Sequence, residues 1–354
     1  MKILDRYIGW TILTATFTVL AVLVAIFTFF AFIDQLEDVG RGTYTLWKAG
    51  AFVLLSVPTL TYQLFPMAAL IGGLIGFGTL MRNGEITVVR AAGVSKERLV
   101  GAVLKAALLM VVLAVLCGEL LAAPGLQRAE DLRSSALNSG AVSRSKTGFW
   151  ARDGRSYVNI RQILPGDRLR DVFIYEFDDL NRLQSSTYAE SAHYEGEGWV
   201  LQNIARTELD DEGMRARHLE EADWDSTIKP DLLAMVATNP DRLGVISLMR
   251  YIRFLNANAG DAQRHEHALW RKLSYPLALV AMVVLAVPMV LRADRSVSVG
   301  QRVLVGAMIG LAFHLLNQAA GHLGVVYEVM PMFSAGAPTL IMLLAAGLML
   351  ARTR

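Results

Sequence analysis

One cysteine stands among 354 residues, Cys117, and it lies in an apolar run. That excludes an internal disulfide and any multi-cysteine metal cluster, so each folded part must cohere through packing and hydrogen bonding alone. Charge is scarce as well. Only 19% of the residues are Asp, Glu, Lys or Arg, and they are unevenly placed. Also missing are the G-x-x-x-x-G-K-[ST] loop that cradles nucleotide phosphates, the H-E-x-x-H zinc helix and the G-x-S-x-G nucleophile turn. The chain therefore shows no means of holding ATP and no hydrolase machinery. His265 and His267 bracket Glu266, but a metal site needs more ligands than that. No metal or cofactor is expected on this chain, and nothing points to nucleic acid.

What is present is hydrophobic. Apolar residues make up 54% of the chain, and mean hydropathy is +0.40. A bilayer core takes roughly 20 apolar residues as helix, because every backbone N–H and C=O must find its partner inside the segment. Six runs qualify: about Gly9–Ile33, Ala51–Met81, Leu99–Ala123, Ala268–Leu291, Val299–Ala320 and Phe333–Ala351. The first is too long for a cleavable leader and lacks a small-residue cleavage site, so it reads as a retained span. Lys and Arg gather in alternate short segments: Lys2 and Arg6, then Arg82, Arg90, Lys96 and Arg98, then Arg292, Arg295 and Arg302, and finally Arg352 and Arg354. The positive-inside bias puts these segments and both termini in the cytoplasm, and the long polar insert on the other side.

The insert, about Pro124–Glu266, has a strand-like middle. Val158–Ile160, Val172–Phe177 and Trp199–Ile204 are short β-branched or aromatic runs. Turn signals separate them at Asp153-Gly154, Pro165-Gly166-Asp167, Asp178-Asp179, Glu195-Gly196-Glu197-Gly198 and Asp211-Glu212-Gly213. This predicts an antiparallel sandwich or roll. Near its end, Ser247 can cap a short helix with Leu248, Ile252 and Leu255 on one face. That helix is expected to lie at the membrane surface.

Ionisable groups at membrane depth are costly and become functional candidates by default. Lys105 is expected to snorkel to the cytoplasmic surface, Glu119 to sit at a watered interface, and His314 to be neutral and hydrogen-bonded in a helix seam. Asp34 closes the first span without an evident partner. Gly72-x-x-x-Gly76 and Gly306-x-x-x-Gly310 allow close helix approach, either within the chain or against a second membrane subunit. Between the second and third spans runs Arg82 to Ser95. Asn83 reads as an N-cap, Glu85 suits the positive helix end, and Ile86, Val89 and Arg90 share a face. Gly93 reads as the terminator, and Ser95 as the cap of the next helix. The result is a helix of about two turns, over about 84–92. Such a helix is marginal alone and needs something to pack on: its own protein, or a separate cytoplasmic one.

From this loop outward the sequence resembles the LptF/LptG family of lipopolysaccharide-export ABC permeases. The likeness runs through Leu4-Asp5-Arg6-Tyr7-Ile8-Gly9, Phe32-Ile33-Asp34-Gln35-Leu36, Leu55-Ser56-Val57-Pro58, Phe65-Pro66-Met67-Ala68-Ala69-Leu70 and Glu85–Ser95. It continues through Gly118-Glu119, Gly148-Phe149-Trp150-Ala151-Arg152-Asp153-Gly154 and Pro276. The resemblance implies six transmembrane helices over 1–123 and 267–354, and a periplasmic β-jellyroll over 124–266. It implies an LptF-like second permease, an LptB-like ATPase dimer carrying the ATP and Mg, an LptC-like single-span protein and an LptA-like periplasmic bridge. It further implies lipopolysaccharide as the substrate and the inner membrane of a diderm bacterium as the location. In that frame Arg82, Glu85, Ile86, Val89 and Arg90 form the ATPase-coupling helix. Asp34, Arg41, Phe65, Pro66 and His314 are candidates for the lipid cavity or its opening. One departure stands out: relatives carry lysines near the end of the first span, where this chain has Ala31, Glu37 and Asp38, with Arg41 and Lys48 the nearest cations. Setting the resemblance aside, the pattern also fits a membrane scaffold or sensor with a ligand-binding β domain.

Overall fold

The computed structural model describes residues 3–137, 143–164, 167–178, 180, 182–196, 198–210, 213–226, 228, 230, 233, 240, 243–257, 262–292, 298–327 and 329–352. The turn signals at 165–166, 179, 197 and 211–212, and the cations Lys2, Arg295 and Arg354, lie outside the described residues.

The helices are α1 (Ile3–Leu36), α2 (Leu46–Arg82), α3 (Glu85–Ala91), α4 (Lys96–Leu116), α5 (Ala123–Leu137), α6 (Val245–Ala257), α7 (Gln263–Arg292), α8 (Val299–Val326) and α9 (Pro331–Ala351). A π-helical segment, Cys117–Ala122, joins α4 to α5. Six helical stretches are long and apolar enough to cross a membrane, the third being Glu97–Leu137. Each encloses or overlaps one run read from the sequence and extends beyond it. The reason is that Lys, Arg and Glu are good helix formers, so a helix continues past the point where hydropathy falls.

The chain divides into two compact units, Met1–Glu37 with Leu46–Ala129 and Glu266–Arg354, and Asp38–Thr45 with Glu130–His265. The first is all helix. Its core runs from Ile8 and Ile12 of α1 through Phe65, Leu70 and Phe77 of α2 and Val103 and Met110 of α4 to Met282 and Val287 of α7. The two long helices most exposed in this chain are α1 and α8, each with 11% of its apolar window buried.

The second unit holds an antiparallel sheet of six strands, β1 (Ser143–Asp153), β2 (Ser156–Leu164), β3 (Arg168–Phe177), β4 (Leu183–Glu195), β5 (Gly198–Asp210) and β6 (Gly213–Trp224). The antiparallel insert expected from the strand pattern is present, and its order is sequential, β1-β2-β3-β4-β5-β6. Val158, Ile160, Leu169, Val172, Ile174, Ala189, Ala192, Trp199, Leu201 and Ile204 bury one face, together with Ile228 and Leu233. The Trp199 indole donates to the Ile228 carbonyl at 2.7 Å.

These inward residues change parity part-way along each strand. Between the row Ile160, Val172, Ala189, Ile204 and the row Ile163, Leu169, Ala192, Leu201, each strand carries two residues instead of one. The unpaired extra row is Arg161, Asp171, Glu190, Asn203 and Glu220. Asp171 (φ 55°) and Asn203 (φ 53°) adopt left-handed backbone there, which Asp and Asn tolerate best among residues with a Cβ. The register is the same on both sides of this row, so it is a change of backbone torsion shared by neighbouring strands, and it turns the inward-facing set of residues over. Asn203 bonds the Glu190 carboxylate, and the Tyr188 hydroxyl donates to Asp171 at 2.9 Å.

α6 forms with Leu248, Tyr251, Ile252 and Leu255 buried. It starts at Val245, so Ser247 lies inside the helix and is not its cap. Phe254 packs on the β-sheet core.

Candidate functional site

α3 is two turns long and begins on a glycine. Gly84 (φ 80°) is its N-cap residue, with no side-chain cap. The expectation of Asn83 as the cap is corrected: the Asn83 amide instead donates to the Glu85 carboxylate at 3.2 Å. The Tyr7 hydroxyl of α1 is a second hydrogen-bond partner of Glu85. The far end closes as read. Gly93 (φ 85°) donates to Arg90 O and Val94 to Val89 O, the paired bonds of a Schellman turn. Ser95 Oγ then accepts from Arg98 N at 3.4 Å to start α4.

Ile86 is 1% exposed and belongs to the helical core, with Val89 packed against it. The aliphatic face of α3 is therefore turned onto its own membrane unit and anchors the helix there. Of the two packings left open for this helix, Ile86 and Val89 take the one on their own protein. The outward side is Arg82, Val88 and Arg90, with Glu85 half-buried between the two faces.

All four seam glycines sit where α2 meets a neighbour. A Cβ on Gly72 would strike the Thr16 backbone and hydroxyl, and one on Gly76 would come within 3.0 Å of Ile12 Cα and Thr11 O. That pair brings α1 against α2. Gly306 faces Ile71 and Leu74, and Gly310 faces Met67, which brings α8 against α2. The seams are thus internal to this chain. Phe65 is 2% exposed and Pro66 is buried in the same region, with Phe17 edge-on to Phe65 at 6.0 Å.

Three ion pairs were not foreseen as pairs. Lys105 is exposed, and its ammonium pairs with Asp5 near the start of α1 at 2.5 Å. Glu119, in the π-helical segment, is not left to water; Lys272 of α7 approaches it at 3.5 Å. Around that segment Thr59 Oγ1 donates to Ala122 O at 3.2 Å. Tyr275 stacks on Tyr62 at 4.0 Å and donates to Tyr62 O at 2.6 Å. Asp38, just past α1, is held by Arg133 at 2.6 Å and by Arg41 at 2.7 Å. The Arg133 guanidinium keeps the Asp38 carboxyl below the usual carboxylate range.

The five cavity candidates do not share one environment. Phe65 and Pro66 are core residues of α2. Asp34 and Arg41 are exposed, Arg41 being paired with Asp38. His314 is exposed on α8, so it lies in no helix seam within this chain. No sequence signal separates a seam-facing from an outward-facing His in a helix that is apolar all round.

Six candidate spans, an inserted antiparallel sheet and a short helix packed between the second and third spans define a polytopic α-helical membrane protein with an inserted β domain. Comparison with known proteins gives the family. The model for the lipopolysaccharide export system permease LptF/LptG matches residues 6–352, and the chain belongs to that family. It is similar to the lipopolysaccharide export system permease protein LptG of Haemophilus influenzae, at 36% identity over 99% of both chains. It is 34% identical to LptG of Escherichia coli K12, over 95% of this chain and 94% of that one. LptF of E. coli K12 is 28% identical over 39% of this chain and 38% of its own.

Proposed function

We propose that this chain is the LptG-type permease subunit of a lipopolysaccharide exporter in the inner membrane, paired with an LptF-type subunit and driven by a separate ATPase. The observation that carries the ATPase part is α3. It is fixed to the membrane unit through Ile86 and leaves Arg82, Val88 and Arg90 outward. A force applied to this short helix reaches the α1, α2 and α4 core directly, because its aliphatic face is already part of that core. The permease supplies no chemistry of its own. ATP and Mg belong on the partner.

The work to be done is physical. Each CH₂ of an acyl chain withdrawn from a bilayer costs about 0.8 kcal/mol, so a lipid with several chains needs an apolar path and an energy source. Both termini and α3 face the cytoplasm in this reading, and the β unit stands in the periplasm, as the Lys and Arg distribution supports. The β unit then receives lipid and passes it to a periplasmic bridge.

The test is co-purification followed by reconstitution. The chain, extracted in mild detergent, is expected to bring down a second six-span protein and a soluble ATPase. Lipopolysaccharide is expected to stimulate ATP hydrolysis by that complex in proteoliposomes. Recovery of the chain alone, or an ATPase rate indifferent to lipopolysaccharide, would overturn the proposal.

A further inference from the structure

Among the described residues, the start of α8 holds a buried positive charge with no acidic side chain paired to it. Arg302 is 6% exposed. Its guanidinium lies against the α2 backbone at Gly78, where any Cβ would collide with Nη1 and Cζ. Its Nε is shielded from solvent and has no hydrogen-bond partner. The charge that acts on it through space is a second cation, Arg82 at the end of α2. α8 has no acidic residue in its first turn, and the helix start adds its own partial positive charge. The capping box occupies the N–H groups of Ser298 and Gln301, and Arg302 N bonds Ser298 O. That leaves the N–H groups of Val299 and Gly300 for another acceptor.

A long cation near a helix end ordinarily extends its head into water. Arg302 does not, although it lies within a turn of the start of α8, and Gly78 lies about a turn from the end of α2. A buried, uncompensated charge is unfavourable, so this arrangement calls for an anion. The planar guanidinium fork matches the oxygens of a phosphate group, and open N–H groups at a helix start are suited to the same ligand. Both are ends of candidate spans, so in the topology proposed above they fall near the headgroups of the cytoplasmic leaflet.

We infer that Arg302, with Arg82 and the open start of α8, binds a phosphate group, and that its occupant is the phosphodiester of an anionic phospholipid headgroup in that leaflet. Gly78 is the seat that lets the guanidinium lie there.

The intact complex, purified from membranes and delipidated, is titrated with phosphatidylglycerol or phosphatidylcholine and read by native mass spectrometry and thermal unfolding. The wild type is expected to retain phosphatidylglycerol over phosphatidylcholine by about tenfold, as for one charge-assisted contact, and to melt higher with it. Arg302→Gln is expected to lose that preference, Arg302→Lys to keep part of it, and Arg82→Gln to weaken it. If Arg302→Gln cannot be purified, Arg82→Gln carries the same test. Equal retention by wild type and variants would overturn the site. Protection by inorganic phosphate equal to that by phosphatidylglycerol would overturn the lipid assignment. Protection only when the ATPase is bound would replace the lipid with a partner's carboxylate.

Discussion

Asp38 and Arg133 lie 95 residues apart in sequence and meet at 2.6 Å. The pair fastens the short loop after α1 to the far end of α5. The Thr43 amide reinforces it by donating to Ala136 O at 2.8 Å, and the Gly42 backbone approaches that carbonyl so closely that a Cβ would come within 2.5 Å of it. The Asp38 carboxylate, which stands where relatives were read to carry lysine, is thereby neutralised by two arginines.

The pair sets an acid limit. A carboxyl whose folded pKa is depressed stabilises the fold at pH above its unfolded value of about 3.9, and that contribution is lost as pH falls through the lower folded value. Hydrogen exchange of residues 38–45 should therefore be slow at neutral pH and rise on acidification below about 4. Asp38→Asn should exchange fast at every pH, and the charge swap Asp38→Arg with Arg133→Asp should restore part of the protection. Unchanged exchange in Asp38→Asn would refute the fastening.

Glu85→Ala should leave expression and melting of the chain nearly intact, because Glu85 is only half-buried and Ile86 remains as the anchor. It should reduce recovery of the ATPase and its lipid-stimulated rate. Normal co-purification with a normal rate would remove Glu85 from the coupling role.

Gly72→Ala should be the more damaging of two matched seam changes. Its new methyl meets Thr16 backbone, which cannot move aside, at a cost of about 1–3 kcal/mol. Gly306→Ala meets the Ile71 and Leu74 side chains first, at 2.9 and 3.0 Å, and the Ile71 backbone only at 3.4 Å, so side-chain shifts can relieve most of the clash. Detergent-extracted yield and melting temperature should rank Gly306→Ala above Gly72→Ala, and the reverse order would show that the α1–α2 crossing is looser than described.

Lys105→Met should lower the melting temperature, since it strands the Asp5 carboxylate, itself 5% exposed. Adding Asp5→Asn should recover most of the loss, because removing both charges leaves no group uncompensated. Additive losses in the double variant would mean that the two residues act separately.

Much of the membrane unit was legible because hydropathy is a one-dimensional signal. The six spans and α3 with its Gly93 terminator are local in sequence. The ion pairs are not: Asp5 and Lys105 are 100 residues apart, and a lone charge near a span end looks the same whether it is paired or bound for water. The sheet was half visible. β2, β3 and β5 carry apolar runs, whereas β6 is exposed along almost its whole length and β4 is rich in Ser, Thr and Ala. More importantly, the period-2 pattern changes phase at Arg161, Asp171, Glu190 and Asn203, so a search for strict alternation finds short fragments where long strands exist. What covers the α3 face stayed open between this protein and a partner, because an amphipathic stripe does not say what covers it.

That change of phase also decides which side of each strand turns inward. The row where it occurs is written in backbone torsions at Asp171 and Asn203, not in the bulk of the side chains that fill the interior. Swapping one apolar residue for another inside the sheet would alter how tightly the core packs, yet leave the position of that row where it was.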